Sequence, residues 1–382
     1  MSTTPGSAAR YLRYAPEVEQ RQPGEAEDVA ALREIFAELR AFAFEKHRHG
    51  LRDAHAKSHG VVLGTLRVRD NLPDELAQGL FAQPREYPVV IRFSTAPGDI
   101  VPDGVGTARG MAIKVLEVDG AKVLAEEADA RTQDFLLVNH PTISSGDVHT
   151  YRRDQAVLLE AAKGPDQVQV AAGSLLREVG GLLRRIGINR TGGPAGQAMP
   201  HTHLLGETYW SQGALRFGEH VAKVSAAPVS PNLTALTGQP VDAGEPSALR
   251  DLTNAFFAGQ QGIWELRVQL ATDLDVTPVE DASVTWPEDV TPYRTVAELS
   301  VESQDSYDPA LRVWADDTLS FNPWHCLVEH QPLGSIQRVR RPVYDDSSAE
   351  RHQLNNRPRH EPAGLQDIPD RDRAPQQQSK EK

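Results

Sequence analysis

The stretch Arg52–Gly64 reads R-D-A-H-A-K-S-H-G-V-V-L-G. An arginine stands three places before His55, small residues flank the histidine, and an apolar strand pattern follows at once. A histidine so placed faces a pocket rather than filling a core, and imidazole is the side chain that exchanges protons near neutral pH. Taken alone, the same pattern also suits a hydrogen-bonded structural histidine. Four later stretches supply, in order, the partners that a working site needs.

Outward from this stretch the chain divides cleanly. Upstream, Val29, Leu32, Ile35, Phe36, Leu39 and Phe42 recur at helical spacing, which predicts an amphipathic helix over 28–46. Residues 1–26 are polar and carry Pro5, Pro16 and Pro23, and read as a flexible, extended arm. Downstream, strand patterns bounded by Pro, Gly or Asp occupy 61–68, 89–94, 110–118 and 135–138. Helical periodicity returns over 147–162 and 166–185, and 192–200 reads as a surface loop. A second set of strands covers 207–210, 216–224, 263–271 and 294–301, before a closing helix over 333–354. Two groups of four strands predict a closed eight-stranded antiparallel β-barrel with flanking helices, an α+β architecture without exposed edges. From residue 356 to 382 apolar content nearly vanishes, which predicts a disordered tail.

Composition narrows the function. The 382 residues carry 40 Lys plus Arg against 53 Asp plus Glu, a net charge of −13 that disfavours nucleic acid as the main partner. No apolar run approaches the roughly 20 residues of a membrane span, and the N-terminus lacks the order of a secretory signal, so a cytoplasmic protein is expected. Cys326 is the single cysteine, which excludes an intrachain disulfide and suits a packed core position.

The second stretch is V-V-I-R-F-S-T at Val89–Thr95, where strand alternation sets Arg92 and Ser94 on one face, expected to point inward. Such a pair can hold an acid and orient an imidazole. The third is A-R-G-M-A-I-K at Ala108–Lys114, and the fourth, D-F-L-L-V-N-H-P at Asp134–Pro141, ends an apolar strand with Asn139. The fifth is R-R-P-V-Y-D-D-S-S-A-E-R at Arg340–Arg351. Its Arg340, Tyr344 and Arg351 share a helix face, although Pro342 is expected to kink or start that helix.

Together these five stretches resemble the haem catalase core family, whose pattern holds H-A-K, R-F-S-T and R-G-x-A-x-K, an Asn followed by a Pro, and R-x-x-x-Y with an Arg seven residues on. D-L-T-N-A-F-F-A-G at Asp251–Gly259, the strand with Trp264, and S-F-N-P-W-H at Ser320–His325 agree as well, so that the likeness spans about residues 28–354. It implies a haem-binding domain over 27–355. Within it Tyr344 is the axial ligand of a ferric haem b and is supported by a hydrogen bond from Arg340. The resemblance further implies that Arg52, Arg92 and Arg351 hold the propionates, that His55 is the general acid and base, that Ser94 orients it, and that Asn139 holds the peroxide. The implied activity is decomposition of hydrogen peroxide through an oxoferryl species, discharged by a second peroxide or by an organic electron donor.

The chain departs from the family at T-I-S-S after Asn139, at His59, at Pro342 and in its short arm and tail, which favours the minimal catalase-related peroxidase type, as a homodimer or tetramer. Other readings are an allene-oxide-synthase-like enzyme acting on a fatty-acid hydroperoxide and a haem-binding protein without turnover. Another is a non-haem metal held among His47, His49, His55, His59, His201 and His203.

Overall fold

The computed structural model describes residues 10–162 and 201–369; the expected 166–185 helix and 192–200 loop lie outside them. Helix α1 spans Glu25–His47, close to its predicted range. Strands β1 (Lys57–Val68), β2 (Glu86–Thr95), β3 (Arg109–Val115) and β4 (Gln133–Val138) form an antiparallel meander, each strand pairing with the next. Helix α2 (Val148–Ala162) follows, and β5 (Tyr209–Trp210), β6 (Leu215–Phe217) and β7 (His220–Pro228) precede helix α3 (Ala248–Phe257). Strands β8 (Gly262–Leu270) and β9 (Arg294–Val301), then helices α4 (Pro309–Asp317) and α5 (Ser335–Leu354), complete the order.

The barrel is closed. Its circuit of eight antiparallel strands runs β1–β2–β3–β4–β5–β7–β8–β9 and returns to β1, with β5 pairing on both β4 and β7. The strand expected over 216–224 is divided, because Gly218 takes φ +62° and turns the chain between β6 and β7.

Alternation along the strands sorts their two faces. Val89, Ile91 and Phe93 of β2, with Met111 and Ile113 of β3, belong to the apolar cluster that fills the barrel. Val61 and Val90 face outward and pack with Leu311, Trp314, Ala315 and Phe321 against α4. Each fully buried Val, Ile or Phe stabilises the fold by about 1.5–3 kcal/mol. Strands buried on both faces read as unbroken apolar runs, so V-V-I alone does not tell inside from outside.

Residues 10–26 and 356–369 are tied to the rest of the fold by hydrogen bonds and packing, whereas residues 1–9 and 370–382 of the expected flexible arm and disordered tail lie outside the described residues. The Leu12 amide donates to the Ala271 carbonyl at 2.8 Å, and the Tyr14 amide to that of Glu219 at 2.8 Å. Glu19 reaches Arg338 of α5 at 2.6 Å. In the tail, Ile368 is buried in the outer cluster and Glu361 pairs with Lys114 at 2.8 Å. Composition reports only what a segment buries by itself, and these segments are held by partners distant in sequence. Cys326 is buried, as expected.

Candidate active site

His55 closes the loop before β1 and is half-buried, with φ +56°. That left-handed backbone is costly for a residue with a side chain. Arg92 holds it there, donating to the His55 carbonyl at 2.9 Å and to that of Ala56 at 3.0 Å. The imidazole Nδ1 lies 3.3 Å from Ser94 Oγ. Arg92 and Ser94 do share a face, but it is the outer face of the barrel, toward α4, not the barrel interior. Burial first, then the charges of Arg92 and Arg340, push His55 down to about 3, so it is neutral at pH 7.

Gly110 of the R-G-M-A-I-K motif has a steric reason to be glycine. It pairs with Ser94 across the ladder, and a Cβ there would stand 2.6 Å from His55 Nδ1 and 2.9 Å from Ser94 Oγ. The imidazole therefore rests in a cradle that only glycine leaves open.

Arg52, Arg92 and Arg351, far apart in sequence, converge on the C-terminal end of α4. Arg52 donates to the Ala315 carbonyl at 2.6 Å and the Leu319 carbonyl at 2.9 Å, and Arg351 to the Asp316 carbonyl at 2.5 Å. The carbonyl end of a helix attracts cations. Asp316 is the carboxylate that touches two of them, at 3.2 Å from Arg52 and 3.0 Å from Arg92. Arg52 and Arg92 share this carboxylate, and Arg351 contacts no carboxylate among the described residues. Burial, with repulsion from Arg92 and Arg351, pushes Arg52 well below its ordinary value. Burial also brings Arg351 to about 10, with Asp316 opposing the shift and Arg92 adding to it.

Tyr344 and Arg340 lie on α5, which continues through Pro342 rather than starting there. Val339 and Val343 pack against Leu32 and Phe36 of α1 and Val148 of α2, and this packing holds the helix where Pro342 removes a backbone donor. The expected hydrogen bond from Arg340 to the Tyr344 phenol is absent. At i, i+4 spacing the guanidinium instead lies over the ring, 5.9 Å from its centroid, and donates to Gln337 Oε1 at 3.1 Å.

Asn139 is placed differently from its expected role. It follows Val138 at the end of β4, where its Oδ1 accepts the Arg109 amide at 2.8 Å and its Nδ2 donates to Glu207. Glu207 also binds the Arg109 guanidinium, so the amide belongs to that buried pair, and no hydrogen bond joins it to His55 or Ser94. Tyr151 of α2 carried no sequence signal, yet it joins the site. Burial pushes its phenol up to about 12, with Tyr344 and Asp53 adding to the shift and Arg340 opposing it.

The remaining histidines are dispersed. His47 pairs with Asp99, His49 with Asp317 at 2.7 Å, His59 with Thr95 Oγ1 at 3.0 Å, and His203 accepts from the Leu205 amide at 3.3 Å. Among the described residues no group of three or more His, Cys, Asp or Glu side chains could hold a metal ion. No helix there is long and apolar enough to cross a membrane.

No protein-family profile and no curated protein matches the sequence. Solved structures do. A fungal catalase superposes with a TM-score of 0.55 at 17% identity, over 82% of this chain and 62% of its own. Catalase A from Saccharomyces cerevisiae gives 0.55 at 17% identity, over 92% and 68%. This chain spans less than two thirds of the first of these. At such identity the likeness concerns the fold, and the closed eight-stranded barrel with its flanking helices is a catalase-like fold.

Proposed function

We propose that this protein binds one haem between His55 and Tyr344 and is an oxidoreductase acting on hydrogen peroxide, as a catalase or as a peroxidase with an organic electron donor. The observation that carries the reading is the charge imbalance beside His55. Three guanidinium groups, Arg52, Arg92 and Arg351, converge on the end of α4, where Arg52 and Arg92 contact the single carboxylate of Asp316 while Arg351 takes only carbonyl and hydroxyl oxygens, and a haem brings two propionates. The Tyr344 phenol has no hydrogen-bond partner among the described residues, which suits an oxygen reserved for a ligand bond. The donor set therefore fits the group.

When bound, the haem supplies the redox centre for O–O bond cleavage. The chain's own residues prepare that chemistry. Arg92 fixes the His55 backbone, and Gly110 gives the ring its place. With its proton on Nδ1, shared with Ser94 Oγ, His55 presents a bare Nε2 that takes a proton from one peroxide oxygen and returns it to the other, which leaves as water. Because burial and two arginines keep the ring neutral, this base stays available well below pH 6. Arg340 sets its positive charge over the Tyr344 ring, 5.9 Å from the ring centroid. Asn139 is not needed for the proton transfer.

Haem titration followed by peroxide addition tests the proposal. The expected result is one haem per chain and rapid turnover, with His55→Ala lowering turnover by about 10²–10⁴ and leaving haem bound. Oxygen release marks a catalase, and donor oxidation a peroxidase. Equal turnover in the variant would reduce the protein to a haem binder.

A further inference from the structure

We infer that Gln337 is the positioning residue that fixes Arg340 over Tyr344 with its charge unshared, and so tunes the electron donation of Tyr344 to the haem iron; the inference rests on the functional reading above. Residues 337, 340 and 344 rise along one side of α5 at spacings of three and four. Gln337 is buried and held at both ends. Its main-chain carbonyl accepts the Trp324 indole N–H at 2.8 Å. Its side-chain amide lies on Gly213, where a Cβ would come within 2.8 Å of the amide nitrogen. Gly213 is fixed in turn, its amide on the Ser211 carbonyl at 2.7 Å and its own carbonyl on Ser211 Oγ at 3.0 Å. The acceptor that meets Arg340 at 3.1 Å thus has one position.

The chemistry of that acceptor matters more than its place. Two residues earlier on the same helix, Arg338 is shared by three carboxylates, with Glu19 and Glu25 at 2.6 Å and Glu280 at 2.9 Å. Arg340 has no carboxylate partner among the described residues; its partner is a neutral amide. A neutral acceptor orients a guanidinium fork without cancelling its charge. The whole positive field then falls on the Tyr344 ring and draws electron density away from the phenol oxygen that would bind the iron.

The test is the ferric/ferrous midpoint potential of the haem-loaded full chain, read with the ferric absorption spectrum, for the wild type, Gln337→Glu and Gly213→Ala. A carboxylate at 337 neutralises Arg340. The potential should then fall by at least the equivalent of a tenfold shift in the reduction equilibrium, about 59 mV for one electron. Gly213→Ala displaces the amide without altering charge, and lowers the potential by a smaller amount; it decides the matter if Gln337→Glu does not fold. Unchanged potentials in the variants that bind haem through Tyr344, even with reduced thermal stability, would make Gln337 merely structural and overturn the inference. A wild type that takes up no haem, or a spectrum indifferent to Tyr344→Phe, would instead remove the functional reading on which the inference stands.

Discussion

Two groups of buried charge lie on the outer face of neighbouring barrel strands, and they are built on opposite plans. Around Lys114, every cation touches more than one carboxylate. Lys114 meets Asp134 and Glu361 at 2.8 Å, and Arg359 meets Glu127 and, at 3.4 Å, Glu361. Around Arg92, two of three guanidinium groups share one carboxylate, and the third, Arg351, takes only main-chain carbonyls and the Ser320 hydroxyl. The first group is complete within the chain and holds the fold, tying β3 to β4 and to the C-terminal segment. In the second, Arg351 contacts no carboxylate among the described residues, which supports the anion-binding role proposed for it. Lysine in R-G-M-A-I-K and arginine in V-V-I-R-F-S-T look alike as motif residues, and only their partners separate a structural role from a binding one.

The contrast can be broken most strongly at Lys114. Lys114→Met leaves Asp134 and Glu361 buried without their cation, and should cost about 3–5 kcal/mol in urea unfolding, with or without haem. A loss under about 1 kcal/mol would class the cluster with weak surface pairs. Arg351→Ala should behave in the opposite way. Its removal relieves repulsion from Arg92, so the haem-free protein should lose less than about 1 kcal/mol, while haem affinity falls at least about tenfold, worth about 1.4 kcal/mol. Thermal unfolding of the haem-free protein and haem titration read the two effects separately. Large destabilisation with unchanged affinity would reverse the assignment.

The smallest effect is a pH slope at Asp53, which sits between Arg52 and His55 in the chain. Burial pushes its carboxyl up from 3.8 to about 6, against the pull of Arg40 at 2.8 Å. A raised folded pKa gives stability that is fully present below pH 3.8 and is lost as pH rises through 6. Asp53→Asn should therefore flatten the melting temperature against pH between 4 and 7, whereas an unchanged slope would place the titration on another group.

Much of this was legible in the sequence, because the long-range order is carried by local patterns. Period-two and helical runs located the eight circuit strands and α1, α2 and α5, and the first three motifs contain residues that meet at His55, namely Arg92, Ser94 and Gly110. What was not legible depends on where a side chain's partner comes from. Arg92 and Ser94 were paired correctly on one face, but a strand apolar on both sides does not say which face is the barrel interior. Asn139 is drawn to Arg109 and Glu207 by the register of β3 on β4, which no motif encodes. Tyr151 and Gln337 enter the site by tertiary packing alone. The C-terminal residues read as disordered because Glu361 and Ile368 find their partners in β3 and α4.

The most direct test of the central claim is the absorption spectrum of the haem-loaded protein beside that of Tyr344→Phe. The account predicts a high-spin ferric spectrum in the wild type that the substitution abolishes or shifts, with Arg52, Arg92 and Arg351 still present to hold the propionates. Identical spectra, or no uptake of haem by the wild type, would contradict it.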